Sequence, residues 1–231
     1  MQMALQGIFL LFGKTKRPQK PVRKPWGQSL VEVAIAFPIL IMLFGGVVEF
    51  GFILNEYLSL MDATRESARY WSNDDPICNE ISTTCPVADG VTPDDDGFYY
   101  ETAYDVQKLL DPSIVDSGYR GRRIILDPAK DDVIVSVYSA EGTDVNILRP
   151  AGPYHLFPSP GHASGHYPSI FTETSILNTR VGTAPNAGIL VVELHYNYHH
   201  TLNLPWMTAF LPNPLHLQAY SVMPIRSGEP E

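Results

Sequence analysis

The chain has seven histidines, and they are the first candidates for chemistry. His162 and His166 stand four apart in a stretch rich in Pro, Gly and Ser, while His195, His199 and His200 fall on one strand-like segment. A metal site could combine the two groups, but spacing fixes no Asp, Glu or Cys beside them. Solvated loop and strand histidines are the simpler reading. Gly161-His162-Ala163-Ser164-Gly165 is no nucleophile elbow, because His162 occupies the place of the first glycine and no strand-to-helix turn flanks it. Asp94-Asp95-Asp96 lacks the alternating spacing of a calcium loop and reads as a solvated acidic turn. No phosphate loop, dinucleotide fingerprint or zinc-protease motif occurs. The residues therefore predict no catalytic centre, no metal and no cofactor. Cys78 and Cys85, the only cysteines, suggest a structural role: a disulfide closing a small loop on an oxidising side of the membrane.

Two carboxylates are more informative, because both sit in apolar surroundings. From Val33 to Leu54 the chain reads VAIAFPILIMLFGGVVEFGFIL, with Glu49 its only charge, and Glu32 directly precedes it. At ~1.5 Å per residue these 22 residues cross the ~30 Å hydrocarbon core of a bilayer. The apolar run is too long for a secretory signal, and no A-x-A-like site follows it. Gly7–Gly13 is apolar but too short to span. An ionisable residue just inside a span is a functional candidate. Glu49, nineteen residues beyond Leu30, lies ~28 Å along the axis and is expected to be a wetted interfacial group.

Charge sets the orientation. The 231 residues carry a formal net charge of −9, yet residues 1–27 hold six of the 16 basic side chains and no acid. The remainder therefore has ten basic and 25 acidic residues, a net of −15. The basic leader should stay cytoplasmic and the acidic remainder outside. An acidic body is a poor nucleic-acid binder, because phosphate contacts need clustered Lys and Arg.

The helical pattern continues past the bilayer. Asn55–Ser72 has good helix formers, no Pro or Gly, and apolar residues at Leu54, Leu58 and Met61. Asp62 can meet Arg65, and Glu66 can meet Arg69, at i,i+3 on the exposed side. Asn73-Asp74-Asp75-Pro76 ends the run. One helix from about Ser29 to Ser72 is predicted, with Pro38 kinking or loosening it. A linker over residues 73–97 follows. The outer domain, 98–231, should hold a short helix at Phe98–Leu110 and strands at Arg122–Leu126, Val133–Ser139, Gly188–His199 and His216–Val222. In the third strand Val191, Glu193, His195, Asn197 and His199 face one way and Val192, Leu194, Tyr196 and Tyr198 the other, one side packed and one wetted. Residues 144–185 form a surface excursion. The fold class is α+β: a small antiparallel sheet against a long helix.

The junction Trp26-Gly27-Gln28-Ser29-Leu30-Val31-Glu32 resembles the processing site of type IV pilins. Phe37-Pro38, Gly46-Val47-Val48-Glu49-Phe50-Gly51 and Ala63-Thr64-Arg65-Glu66-Ser67-Ala68-Arg69-Tyr70 follow in order. Together they resemble the TadE-like family, pseudopilins of the Flp/Tad tight-adherence pilus system. The likeness is strong over about 27–71 and returns weakly at Ile189–Tyr198 and His216–Pro224. It implies a pilin-like architecture, a structural role in pilus assembly rather than catalysis, and cleavage between Gly27 and Gln28 by a prepilin peptidase. Other pilins and pseudopilins and the pilus platform proteins are the implied partners, beside membrane lipid. Cleavage would leave an ammonium at Gln28, at the unfavourable positive end of a helix dipole. Glu32, one turn on or from a neighbouring subunit, would neutralise it. Glu49, Arg65, Glu66 and Arg69 are candidate interface residues. Two other classes stay open: an unprocessed membrane-anchored adhesin or binding module acting through 144–185, and an anchored metal-dependent hydrolase using the histidines.

Overall fold

A computed structural model describes residues 27–74, 76, 96–141, 144–147, 153–157, 165–176 and 186–225. The leader before Gly27, the Cys78–Cys85 loop, Asp94-Asp95 and His162 lie outside these residues. The chain divides into two units, Met1–Leu43 and Phe44–Glu231.

Helix α1, Gln28–Trp71, runs unbroken through Pro38. In the first unit its described side chains from Ser29 to Leu43 are all exposed, including Leu30, Val33, Ile35, Phe37, Ile39 and Leu43. Residues of such uniform apolarity have no reason to face water.

In the second unit the helix becomes amphipathic, but not on the face the apolar residues suggest. Leu54, Leu58 and Met61 are 44%, 52% and 38% exposed, whereas Leu60, Ala63, Thr64, Ser67 and Ala68 are buried. The buried residues follow the i, i+3, i+4, i+7, i+8 spacing of one helical stripe. Beyond Leu60 they are small, which lets α2, Asp96–Leu110, approach closely: Ser67 Oγ donates to the Thr102 carbonyl at 2.8 Å. Phe98, Tyr99, Ala103, Val106 and Leu110 of α2 complete this layer.

The sheet has the order β2-β1-β4-β5 and is antiparallel throughout. Its strands are β1 Asp132–Glu141, β2 Asp144–Ile147, β4 Asn186–Tyr198 and β5 Leu215–Ile225; the two-residue β3, Tyr154–His155, pairs with β1 on the edge shared with β2. The register Val133↔Leu194 and Val135↔Val192 puts alternating β-branched and Leu side chains on the helical layer. The opposite face is also covered. Tyr138, Ala140, Val145, Ile189 and Val191 pack there with Ile176 of a short helix, α3, Glu173–Ile176. The expectation of one wetted face on β4 is therefore corrected: Val191, Glu193 and His195 are all buried, because residues 165–176 pack back over them. A second correction concerns Arg122–Leu126, which is not a strand. It lies beside α2, where Ile124 N donates to the Leu110 carbonyl, and only Ile124 and Leu126 are buried.

Candidate functional site

Gly27 precedes the first helical residue, Gln28, and its carbonyl accepts from Val31 N at 3.3 Å. Gly27 is exposed, and a Cβ built there meets nothing within 4 Å. Glu32 is exposed one turn on, among exposed Leu30, Val31 and Val33.

Glu49 behaves differently from expectation. Its side chain is fully buried rather than wetted. The connection between β4 and β5 folds onto the helix there, and three donors converge on the carboxylate: Tyr198 Oη at 2.6 Å and Thr201 N at 2.8 Å to Oε1, and Leu202 N at 2.8 Å to Oε2. Gly45 lies directly under this connection: a Cβ there would stand 2.8 Å from Leu204 Cδ1, so that side chain would have to shift. Trp206 lies 3.5 Å from the Cβ positions of both Gly45 and Gly46. The carboxylate is thus an internal clasp between α1 and the head. A Glu in an apolar run signals such a role; its partners, about 150 residues away, carry no local signal.

Arg65, Glu66 and Arg69 face a groove of about 700 Å³ whose other lining includes Leu109, Arg122 and Ile124. Arg69 grips Glu66 with two bonds, Nη2–Oε1 at 2.5 Å and Nε–Oε2 at 3.0 Å. The guanidinium holds the Glu66 carboxyl below its ordinary value, and Arg69 is raised in turn. Across the groove Arg122 Nη2 lies 2.9 Å from Glu56 Oε1, tying 122–124 to the helix. The groove was not foreseen, because its far wall is the segment expected as a strand.

Among the described residues the histidines are not gathered into one site. His199 is exposed and His200 is buried without a hydrogen-bond partner at either ring nitrogen. His166 Nε2 lies 2.9 Å from the Pro128 carbonyl. His195 instead stacks with Tyr167 and His216, ring centroids 4.6 to 5.2 Å apart, its Nδ1 3.1 Å from His216 Nε2. Burial, then the neighbouring His216, pushes His195 down to about 4. His155 Nδ1 lies 2.7 Å from Asp132 Oδ2 in a buried pair. Burial raises Glu193, which accepts from Ser169 Oγ and Ile170 N. Asp132, Glu193 and His195 hold the 165–171 segment onto the sheet: Asp132 accepts from His166 N, Glu193 from Ser169 and Ile170, and His195 stacks on Tyr167. Among the described residues no group of three His, Cys, Asp or Glu is placed to hold a metal ion.

Residues 27–69 match the family model described as TadE-like protein. The match ends inside α1 and does not reach the C-terminal strands, where the sequence resemblance was weak. No curated protein and no solved structure matches the chain significantly.

Proposed function

Proceeding from a TadE-like segment that occupies one helix, we propose that the protein is a minor pilin or pseudopilin acting structurally in Flp/Tad pilus assembly. The observation that carries this reading is the division of labour along α1. Its first part exposes apolar side chains on every side, and its second part is built into an α+β head. One helix of this length and apolarity is compatible with a single-pass anchor. The basic leader points inward and the acidic head outward.

Removal of residues 1–27 by a prepilin peptidase would create an amine at Gln28 that Glu32 can neutralise within a fibre or basal complex. Lateral packing has a surface to use. Phe44, Val47, Leu54, Leu58 and Met61 are exposed and, with exposed Gly51 between Val47 and Leu54, follow three- and four-residue spacing along α1, the pattern of a seam for a neighbouring helix. The adjacent Arg65, Glu66 and Arg69 supply its polar end. The role is structural and needs no cofactor, with the platform proteins and other pilins as partners.

The test is removal of the gene in the source organism, with surface fibres counted by electron microscopy. Loss or marked reduction of fibres, restored by the wild-type chain, is expected. An unchanged fibre count would exclude the assembly role.

A further inference from the structure

The connection between β4 and β5 has a composition unlike the rest of the head. Between Glu193 and Arg226 the chain has no Asp, Glu, Lys or Arg for 32 residues, in a protein that is 18% charged. Within this run residues 199–214 form the segment that closes over Glu49. Its apolar side chains are only partly used by the fold. Met207 is buried and Trp206 half-buried against Gly45 and Gly46, but Phe210 is 80% exposed and Leu202 38%.

The position of this segment along the chain identifies what covers it. It packs on Gly45 to Glu49, directly after the run in which every described α1 side chain is exposed. Twenty residues of helix separate Ser29 from Glu49, roughly 30 Å, the thickness of a hydrocarbon core. Counted from Ser29 the hydrocarbon core ends at Glu49, and counted over Val33–Leu54 it ends one to two turns later, so the segment docks within the outermost turns of the span. Trp and other aromatic side chains concentrate at that depth. A neighbouring helix on the Phe44, Val47 and Leu54 seam does not compete, because that stripe and the Gly45 and Glu49 contacts occupy roughly opposite sides of α1. The three donors on Glu49 also fit this depth: a carboxylate at the edge of lipid needs its hydrogen bonds supplied by protein.

We propose that residues 199–214 are an interfacial membrane-docking segment, with Leu202, Trp206 and Phe210 in contact with lipid and the Glu49 clasp fixing the segment at that depth. The proposal rests on the reading of α1 as a membrane anchor. It makes the head a second attachment to the bilayer rather than a body held off the surface by a bare helix.

The test uses the full chain in phosphatidylcholine–phosphatidylglycerol vesicles carrying lipids brominated at acyl positions 6 and 7. Trp26→Phe leaves Trp71 and Trp206, and Trp71, about 33 Å of helix beyond Glu49, serves as the aqueous control. The share of emission lost in Trp26→Phe/Trp206→Phe should be the share that brominated lipid quenches, by half or more. In the Trp26→Phe background, Phe210→Trp should add a further quenched component without disturbing the Trp206 packing. Ile39→Trp in Trp26→Phe/Trp206→Phe reports the anchor separately. Quenching at position 39 with none at 206 or 210 overturns the docking proposal while the anchor stands. Shielding of 206 and 210 from aqueous acrylamide without lipid quenching overturns it in favour of a protein cover. No quenching at any of the three overturns the anchor reading and the proposal together.

Discussion

Replacing Tyr198 with Phe removes its hydrogen bond to a buried carboxylate, together with the 3.0 Å contact between Tyr198 Oη and Thr201 Oγ1, and leaves the ring in place. Tyr198 Oη lies 2.6 Å from Glu49 Oε1, and the tyrosine is 1% exposed, so water cannot substitute for the lost donor. A hydrogen bond to a charged group contributes ~1.5–3 kcal/mol, so Tyr198→Phe should cost about 2 kcal/mol. For a unit of this size, about 2–4 °C is lost per kcal/mol, giving a fall in Tm of about 4–8 °C. Glu49→Gln should cost more. The amide oxygen can keep two donors, but its NH2 group then confronts Leu202 N–H, donor against donor. Two interactions weaken and one is lost, or about 3 kcal/mol. Because the residues touch, the double variant should lose less than the sum of the singles, a coupling of about 1 kcal/mol or more. The assay is thermal unfolding of the full chain in detergent, followed by near-UV circular dichroism. Tm values within 1 °C of wild type for both single variants would refute the clasp.

Other perturbations follow from the same packing. Gly165 has φ +60, and a Cβ there would lie 2.2 Å from both Asp132 Oδ2 and His155 Nδ1. Gly165→Ala should therefore destabilise the head by at least about 3 kcal/mol, seen as a fall in the denaturation midpoint; a neutral result would refute the placement of 165 against the buried pair. Acid should destabilise the protein between pH 6.5 and about 4. His195 is held below its unfolded value of 6.5, so its contribution is complete above that pH and is lost as the unfolded chain takes up the proton, up to about 3 kcal/mol. Raised Glu193 acts oppositely, its neutral-pH cost easing as pH falls, whereas His216, also lowered by burial, adds to the His195 slope; the slope should shrink in His195→Gln. Leu58→Glu, on the exposed seam, should change Tm by less than about 1 °C yet abolish incorporation into fibres, measured by fractionating sheared pili; wild-type incorporation would remove the seam from the account.

What could be read from the chain was what depends on local pattern. The run Val33–Leu54 and the helix formers after it lead directly to α1, and the alternation from Val191 to Tyr198 leads to β4. The start of α1 at Gln28 is legible because charge and apolarity change within a few residues there. The errors share a cause in tertiary context. Leu54, Leu58 and Met61 are apolar yet exposed, because the head packs on the small residues Ala63, Ser67 and Ala68, where backbones approach most closely. Arg122–Leu126 has strand-like composition, yet β1 is already paired on both edges and the segment lies along α2 instead. Glu49 is expected to be wetted and is buried instead, since its partners Tyr198, Thr201 and Leu202 come from the far end of the chain.

The central claim is that the Gly27 junction begins a pilin-type helix, and its most direct test is the N-terminal residue of the protein from native membranes, by mass spectrometry. The account predicts a chain beginning at Gln28, and loss of that form in Gly27→Ala or when the prepilin peptidase is removed. A chain that keeps residues upstream of Gly27 in wild-type membranes would contradict it.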